Sequence, residues 1–249
     1  MEGKETMNWI IQRGSGLDIE ELLVLEQLRK TRLTNDYRRI RYIEDTDNWG
    51  KGYIPVGTIE FVERYLRSNY GIEQENPIEI PDYLQTDEFL KREYSIVSYD
   101  QIPDNKEFFL KDASKLKAFA QEIYDPEQIA DMNLDINHKY VVSELVDVLS
   151  EYRVYVIDGK IVDISYYNGD CTLFPDVSLL NKATGLISIN EKWLKSYTID
   201  VMITDRGTSL IEIHNFTSVG LYSTIWGTDL LYGYRQGMDY LINDNRNRV

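Results

Sequence analysis

Apolar and polar positions repeat with two different periods at the start of the chain. The segment 8–12 (NWIIQ) predicts a short strand, and Gly14-Ser15-Gly16 predicts a turn. Over 19–30 the apolar residues return at helical spacing behind a candidate N-cap, Asp18. The chain therefore begins with a predicted strand and helix.

A second strand and helix are predicted directly after the first pair. Residues 39–44 (RIRYIE) have strand character, and 59–67 (IEFVERYLR) predict a helix that begins after the N-cap Thr58. Strands that alternate with helices are typical of a small α/β unit with a partly parallel sheet. We expect such a unit at the amino end.

The segment 71–104 has neither period and contains Pro77, Pro81 and Pro103. Because proline interrupts both helices and central strands, we expect the connection between two domains there. The predicted domains are 1–104, which includes this connection, and 105–249.

The second domain is predicted to be rich in strands. Strands are predicted over 107–111, 139–145, 151–157, 160–167, 197–204 and 208–214. Helices are predicted over 115–121, 126–131, part of 176–184 and 229–243. The predicted fold class is therefore α+β, with a small α/β domain in front.

The charge of the chain restricts its partners. The 249 residues include 27 Lys and Arg against 42 Asp and Glu, which gives a formal charge of −15 at pH 7. Because so acidic a chain repels a phosphodiester backbone, we expect no nucleic-acid partner. A small anion can still bind where clustered cations or a metal ion reverse the local sign.

Cysteine usage and hydropathy indicate the compartment. Cys171 is the single cysteine of the sequence, so no internal disulfide can form. No apolar run approaches the roughly 20 residues that span a bilayer, and no signal-peptide pattern begins the chain. We expect a reducing cytoplasm and no membrane partner.

Two hairpins are predicted in the second domain. Asp158-Gly159 between two apolar strands predicts a type I′ turn. A three-residue connection that ends in Gly207 joins 197–204 to 208–214 and predicts a type I turn with a G1 bulge. Both pairs of strands would be antiparallel neighbours.

The second hairpin would bring two carboxylates together. In its predicted register Thr204 pairs with Thr208, and Asp200 lies opposite Glu212 with Cβ atoms about 5 Å apart. The core face would carry Ile199, Val201, Ile203, Ile211 and Ile213. The other face would carry Asp200, Met202, Thr204, Leu210, Glu212 and His214. A two-residue turn would shift the register by one and break the opposition.

Carboxylates in this arrangement repel each other, and something must offset the repulsion. A divalent cation, a nearby Lys or Arg, or a shared proton would do so. With His214 and Asn215 beside Glu212, the pattern predicts a Mg²⁺ or Mn²⁺ site that includes Asp200. The alternative is an exposed acidic hairpin face without a ligand.

Cations supply the other half of a candidate site. Lys111 ends an apolar strand, Lys115 and Lys117 follow it, and Arg153 lies within a later strand. Taken singly, each is more often a solvated surface charge. Together with paired carboxylates they are the components of phosphoryl transfer, which needs cations on the phosphates and metal ions held by acids.

The order of these segments resembles the ATP-grasp family. The resemblance rests on FFLKDASKLKAF, on VVSELVDVLSEYRVYVIDGKIVDISYYNGD, and on YTIDVMIT with LIEIHNFTSVGLY, and it spans about 106–225. It implies the ATP-grasp fold, in which antiparallel sheets with helices enclose a nucleotide, behind an N-terminal α/β domain. It also implies ATP and Mg²⁺ as cofactors.

The resemblance assigns roles to particular residues. Lys111 and Lys117 would contact ATP phosphates, and Arg153 would meet the γ-phosphate or an acyl-phosphate, so that Lys111 and Arg153 are the implied catalytic pair. The other implied contacts are the adenine hinge Ser143, Glu144, Leu145 and Val146, the ribose contact Asp147, and the metal ligands Asp200 and Glu212 with His214 or Asn215.

Two positions depart from the family pattern. Asp112 stands where a proline often follows the strand lysine, and His214 stands where the common Glu-x-Asn pattern has its asparagine. Either Asn215 reaches the ion through a bulge, or His214 faces it. A histidine ligand would favour Mn²⁺.

The implied reaction is ligation. A substrate carboxylate would attack the γ-phosphorus of ATP to give an acyl-phosphate, and an amine or thiol would then displace phosphate; the expected partners are small-molecule or peptide carboxylates and amines. The acceptor pocket is expected near 53–58 and 168–175. We expect Asp200→Asn or Glu212→Gln to abolish turnover and leave folding intact or slightly improved.

Two other classes fit part of the pattern. A nucleotide-binding module without turnover would use the same residues. A metal-dependent nuclease with an Asp…Glu-x-Lys core would fit Asp200 and Glu212, with His214 in place of the lysine. The charge of −15 disfavours the nuclease.

Overall fold

The computed structural model describes most of the chain. The described residues are 7–14, 19–31, 34–40, 49–73, 76–116, 118–125, 127–217, 219–222, 225 and 227–246. Four sequence predictions fall at least partly outside these ranges: the turn at 14–16, the N-cap Asp18, the strand end at 41–44, and the phosphate contact Lys117.

The amino-terminal unit contains one parallel sheet, as the alternating pattern predicts. Its elements are β1 (Met7–Gln12), α1 (Ile19–Thr31), β2 (Thr34–Ile40), β3 (Tyr53–Val56) and α2 (Ile59–Tyr70). The strand order is β2-β1-β3, and both pairs are parallel. The sequence did not predict β3, which is short and contains Pro55; as an edge strand it tolerates the missing N–H.

Helix α2 begins and ends where its sequence indicates. The Thr58 hydroxyl accepts a hydrogen bond from the Phe61 N–H, as an N-cap does, and Gly71 closes the helix in the left-handed conformation. Phe61 and Tyr65 lie on its buried stripe. This stripe fixes the first turn of α2 at the carboxyl end of β3.

The middle unit contains an antiparallel sheet. Its elements are α3 (Asp87–Leu90), β4 (Tyr94–Ser98), β5 (Phe108–Asp112), β6 (Ala120–Ile123), α4 (Glu127–Asp131) and β7 (Lys139–Ser143). The strand order is β4-β7-β5-β6.

Two predictions in this region were wrong. The predicted helix over 115–121 is instead the approach to β6, which pairs with β5 from Phe108↔Ile123 to Lys111↔Ala120. The predicted connection over 71–104 is shorter, because β4 already pairs with β7. In both cases hydrogen bonds from a distant strand override the local sequence preference.

The carboxyl-terminal unit contains the second antiparallel sheet. Its elements are β8 (Ser150–Ile157), β9 (Lys160–Gly169), α5 (Val177–Asn190), β10 (Tyr197–Thr204), β11 (Gly207–Asn215) and α6 (Thr228–Arg246). The strand order is β11-β10-β8-β9. Asp158 and Gly159 both have positive φ, 51° and 70°, which confirms the type I′ turn between β8 and β9.

The β10–β11 hairpin has a different turn from the predicted one. Thr204 pairs with Gly207 and not with Thr208, so the loop has two residues. A bulge between Asp200 and Val201 then restores the predicted opposition of Asp200 and Glu212. The opposition is therefore confirmed, although its predicted route through a three-residue turn was wrong.

The bulge exchanges two side chains between the faces of β11. Leu210 was predicted to share the face of Glu212, but it is fully buried in the core with Val201 and Ile213. Ile211 was predicted to lie in the core, but it lines a cavity with Glu212. One extra residue on a strand reverses the facing of its neighbours, as the period of two requires.

Helix α6 returns to the amino-terminal unit. Leu230 and Tyr234 belong to the same buried cluster as Trp9 and Ile11, and Leu241 packs in a cluster with Phe61. The two ends of the chain therefore share one core. In the described part of the chain, no helix combines the length and the apolar character needed to cross a membrane.

Candidate functional site

A cavity of about 400 Å³ lies between the two antiparallel sheets. We call it the inter-sheet cavity. Residues from β4, β5, β6 and β7 line one wall, and residues from β8, β9, β10 and β11 line the other. Its lining includes Tyr94, Phe109, Lys111, Val141, Ser143, Glu144, Leu145, Val146, Tyr167, Met202, Ile211 and Glu212. Flat apolar walls with a few charged groups at one end suit a heterocyclic ligand that carries charge.

The segment that leaves β7 lines this cavity, as sequence analysis proposed for a hinge. Ser143, Glu144, Leu145 and Val146 all contribute to the lining. Within the described chain, Leu145 and Val146 have no backbone hydrogen bond to another backbone group. Their N–H and C=O groups are therefore available to a ligand. Asp147 is exposed and is not among the described lining residues.

Arg92 fixes the hinge to the opposite sheet. Its guanidinium donates to Ser143 Oγ at 2.9 Å, to Ser209 Oγ at 2.6 Å and to the Leu210 carbonyl at 2.8 Å. Burial lowers the pKa of Arg92 to about 10. Sequence analysis missed this residue, because a lone arginine in a presumed linker carries no pattern.

Glu144 in the hinge has an ionic partner from the β10–β11 turn. Arg206 donates to both its oxygens, at 2.6 and 2.9 Å, and the Glu93 N–H donates a third bond at 3.2 Å. The hydrogen bonds from Arg206 are the main reason that the pKa of Glu144 falls to about 2. Sequence analysis treated Arg206 only as a turn residue.

Glu212 is paired with two basic groups at the charged end of the cavity. One carboxylate oxygen contacts Lys111 Nζ, and the other lies 2.6 Å from His214 Nε2. Burial would raise the pKa of Glu212, but the bonds and charges of His214 and Lys111 outweigh it and lower the pKa. The predicted strand lysine and the predicted metal ligand are thus brought together across the two sheets.

Asp200 is paired with Arg153 on the neighbouring strand. The guanidinium forms two parallel hydrogen bonds of 2.7 Å with the carboxylate, which is only 3% exposed as a residue. A third donor nitrogen bonds the Gly220 carbonyl at 3.1 Å, and the Tyr222 ring lies 5.0 Å from the guanidinium carbon. Burial opposes the charge of Arg153, but the bonds to Asp200 raise its pKa overall.

These pairs explain how the opposed carboxylates coexist. Sequence analysis considered a metal ion, a basic neighbour or a shared proton, and the structure has basic neighbours on both carboxylates: Arg153 on Asp200, and Lys111 with His214 on Glu212. The acidic hairpin face is therefore not solvated and inert. It forms one contiguous cluster of alternating charge.

The same cluster can hold a divalent cation. Ligand atoms of Asp200, Glu212 and His214 lie within 4.8 Å of one another. Two carboxylates and an imidazole form a donor set that suits Mn²⁺, and the carboxylates suit Mg²⁺. Asn215 does not join them, because its amide bonds the Gly237 carbonyl and the Thr217 N–H on the buried face. Of the two alternatives for this position, only His214 lies at the cluster.

Asp112 has a structural contact in place of the family proline. Its carboxylate accepts hydrogen bonds from the N–H groups of Ser114 and Lys115, at 2.8 and 3.1 Å, and lies 2.8 Å from His138 Nδ1. These bonds form the turn that follows Lys111. The carboxylate thus defines the direction of the loop that leads toward position 117.

The comparisons with known proteins agree with this arrangement. A family model for the ATP-grasp domain, the second family of its clade, matches residues 89–225, which is more than half of the chain. No curated protein matches the chain in sequence.

Solved structures share the fold at low identity. D-cycloserine synthetase DcsG superposes with a TM-score of 0.58 at 11% identity, over 95% of this chain and 99% of that one. N5-carboxyaminoimidazole synthetase from Staphylococcus aureus gives 0.53 at 9%, over 85% and 71%. D-alanine–D-alanine ligase from Bacillus anthracis gives 0.52 at 13%, over 98% and 100%. At such identities the likeness concerns the fold alone.

Proposed function

Because this chain belongs to the ATP-grasp domain family, we propose that it is an ATP- and Mg²⁺-dependent ligase that joins a carboxylate to an amine or thiol through an acyl-phosphate. One observation carries the proposal. The inter-sheet cavity has hinge residues with available backbone groups among its lining, and it also has Lys111 and Glu212, which adjoin the Asp200–His214 cluster.

The hinge would bind the adenine ring. The backbone of Leu145 and Val146 would take part in base hydrogen bonds, and apolar side chains such as Val141 and Met202 would pack on the ring faces. Arg92 and Arg206 hold this segment from outside and keep it in place before the nucleotide arrives. A preformed hinge reduces the entropy lost on binding.

The charged cluster would receive the phosphates. Asp200, Glu212 and His214 would hold Mg²⁺, or Mn²⁺ if the imidazole binds directly. The metal would supply positive charge next to the transferring phosphoryl group. Lys111 and Arg153, which now neutralise the two carboxylates, would then be free to contact phosphate oxygens. Lys117 remains part of the proposal as a further phosphate contact.

The reaction needs positioning more than covalent chemistry by the protein. A carboxylate oxygen attacks the γ-phosphorus and ADP leaves; the amine or thiol then attacks the acyl carbon, loses a proton, and inorganic phosphate leaves. Arg153 and Lys111 would stabilise the negative charge in both steps. No histidine–serine or histidine–cysteine pair is required.

Isotope scrambling tests the proposal without a known amine. ATP that carries ¹⁸O in the β–γ bridge is incubated with Mg²⁺ and pools of carboxylates, and bridge-to-nonbridge exchange is followed by ³¹P NMR. A ligase scrambles the label in the presence of its carboxylate, because acyl-phosphate formation is reversible. Glu212→Gln is the matched inactive control, and Glu107→Gln, at an exposed position before β5, is the active one.

The outcomes separate the rival functions. Scrambling, or ADP release when pools of amines are added, supports the ligase. Mg-ATP binding in calorimetry without scrambling or ADP release supports the nucleotide-binding module. Failure of Mg-ATP to bind contradicts both of these proposals, and cleavage of DNA with Mn²⁺ would support the nuclease.

A further inference from the structure

A second cavity of about 400 Å³ opens at the edge of the parallel sheet. We call it the edge cavity. It lies where β1 and β3 end, at the starts of α1 and α2, and it is closed by the segment 219–220. Its described lining includes Glu20, Glu21, Thr58, Glu60, Gly220 and Tyr234. The expected acceptor region 53–58 contributes to it, whereas 168–175 contributes no described lining residue.

The charge of the edge cavity is of one sign. Three glutamates line it, and none of its described lining residues is Lys or Arg. Glu21 is neutralised from behind by Arg39, whose Nε donates at 2.7 Å. Glu20 accepts one bond from the Leu221 N–H at 2.9 Å, and no cation pairs with it in the described part of the chain. A half-buried carboxylate without a counter-ion attracts a cationic ligand.

The start of α2 does not offset this charge by offering an anion site. The Thr58 N–H donates to Gln12 Oε1 at 2.7 Å, and the Thr58 hydroxyl takes the Phe61 N–H. Glu60 adds a carboxylate within the first turn. The helix dipole is therefore already compensated by side chains of the chain itself.

Tyr234 provides a second, independent indication of a ligand. It is 1% exposed and lines the edge cavity, yet its hydroxyl forms no hydrogen bond with any described residue. Burial raises the pKa of this phenol, so it remains neutral and can both donate and accept. A buried hydroxyl without a partner costs free energy that a bound polar group would recover.

One backbone carbonyl joins the edge cavity to the charged cluster. Gly220 lines the cavity, and its carbonyl oxygen accepts from Arg153 Nη1 at 3.1 Å and from Tyr155 Oη at 2.8 Å. Arg153 in turn binds Asp200. A group held in the edge cavity would therefore be close to the phosphate end of the proposed nucleotide site.

From this juxtaposition we infer that the edge cavity binds the amine substrate as its ammonium ion, with Glu20 as the counter-ion and the Tyr234 hydroxyl as a hydrogen-bond partner. The inference rests on the proposed ligase function for the word substrate, and it selects an amine over a thiol. Anionic acceptors are excluded by the carboxylate lining.

The test measures binding of simple probes to the full chain. The probes are primary alkylammonium ions from ethylammonium to phenethylammonium, the alcohols of the same shape, and the corresponding carboxylates, followed by saturation-transfer NMR at pH 7. Glu20→Gln removes the charge but keeps an oxygen for the Leu221 N–H. Glu26→Gln is the control on the same helix, where Glu26 pairs with Lys30 at 2.6 Å. Tyr234→Phe removes only the unpartnered hydroxyl.

We expect ammonium ions to bind the wild-type protein and Glu26→Gln equally. Glu20→Gln should bind them about tenfold more weakly, as loss of a charge-assisted hydrogen bond predicts, and Tyr234→Phe about threefold more weakly. Alcohols or carboxylates that bind as tightly as the ammonium ions, or unchanged binding in Glu20→Gln, would overturn the inference.

Calorimetry with Mg-ATP on the same proteins separates the two proposals. Ammonium binding that depends on Glu20, without any Mg-ATP binding, would leave the cation site standing and refute the ligase. Mg-ATP binding without ammonium binding would leave the ligase standing and refute the edge-cavity assignment.

Discussion

The inter-sheet cavity and the edge cavity have the same volume, about 400 Å³, but opposite arrangements of charge. In the first, Glu212 contacts Lys111 and His214, and the adjoining Asp200 binds Arg153. In the second, no Lys or Arg belongs to the described lining, and Glu20 lacks a cationic partner among described residues. A cavity that contains both signs can receive phosphate and metal together, whereas a cavity with one sign selects a cation.

The comparison predicts its largest effect at Glu212. Glu212→Gln removes one metal ligand and should lower Mg-ATP turnover by at least about 100-fold, because the charge on the transferring phosphate is no longer balanced. Ammonium binding at the edge cavity should persist, since Glu212 does not line it. ADP release and NMR on one sample check both; loss of ammonium binding would show that the two cavities are not independent.

Asp200 lies between the two cavities, and its substitution should affect stability. Asp200→Asn leaves the Arg153 charge without a counter-ion in a site that is 11% exposed at the arginine side chain, which should cost about 3 kcal/mol of unfolding free energy. This corrects the expectation that folding would be intact or improved, because the carboxylate repulsion is already offset. Urea unfolding measures the cost.

A double variant sharpens this result. Arg153→Met with Asp200→Leu should recover most of the lost stability, because an apolar pair leaves no charge uncompensated. If Asp200→Asn alone unfolds at the wild-type urea midpoint, the ion pair contributes nothing and this account of the cluster is wrong.

Lys111 should affect the first cavity only. Lys111→Ala should weaken Mg-ATP binding about tenfold, because one phosphate contact is lost. Binding of free Mn²⁺, followed by electron paramagnetic resonance, should persist through Asp200, Glu212 and His214. Lys115→Ala is the matched control, since Lys115 is exposed and outside the lining. Unchanged ATP affinity in Lys111→Ala would remove this lysine from the proposed site.

The smallest effect is expected at the hinge, and it depends on pH. The pKa of Glu144 is lowered to about 2 by Arg206, so its ionised form stabilises the fold above the unfolded pKa of 4.5, and this contribution disappears as the pH falls toward 2. Glu144→Gln should melt slightly below the wild-type protein at pH 7, with the difference vanishing near pH 2. A difference that grows on acidification would contradict the assigned pKa direction.

Much of the local structure follows from local sequence. Thr58 and Gly71 specify both ends of α2, and Asp158-Gly159 specify the β8–β9 turn. These signals act over a few residues and depend on backbone preferences that belong to the residues themselves. The opposition of Asp200 and Glu212 was also predicted, but only because the shorter turn and the bulge offset each other.

The candidate site was predicted in its residue types more than in its contacts. Lys111, Arg153, Asp200, Glu212 and His214 lie together as a charged cluster. Their present pairing was beyond sequence patterns, because it depends on how two sheets approach. Arg92 was missed for the same reason: its partners are residues 143, 209 and 210.

The sequence by itself determined the alternation of elements, the caps and turns, and the composition of the charged cluster, because these depend on side-chain period and on conformational preferences of neighbouring residues. Only the tertiary structure decided that β4 and β6 are strands, that Asn215 faces α6, and that Glu20 and Tyr234 meet in one cavity. Those outcomes require hydrogen bonds and packing between segments far apart in the chain, whose free energy exceeds any local preference.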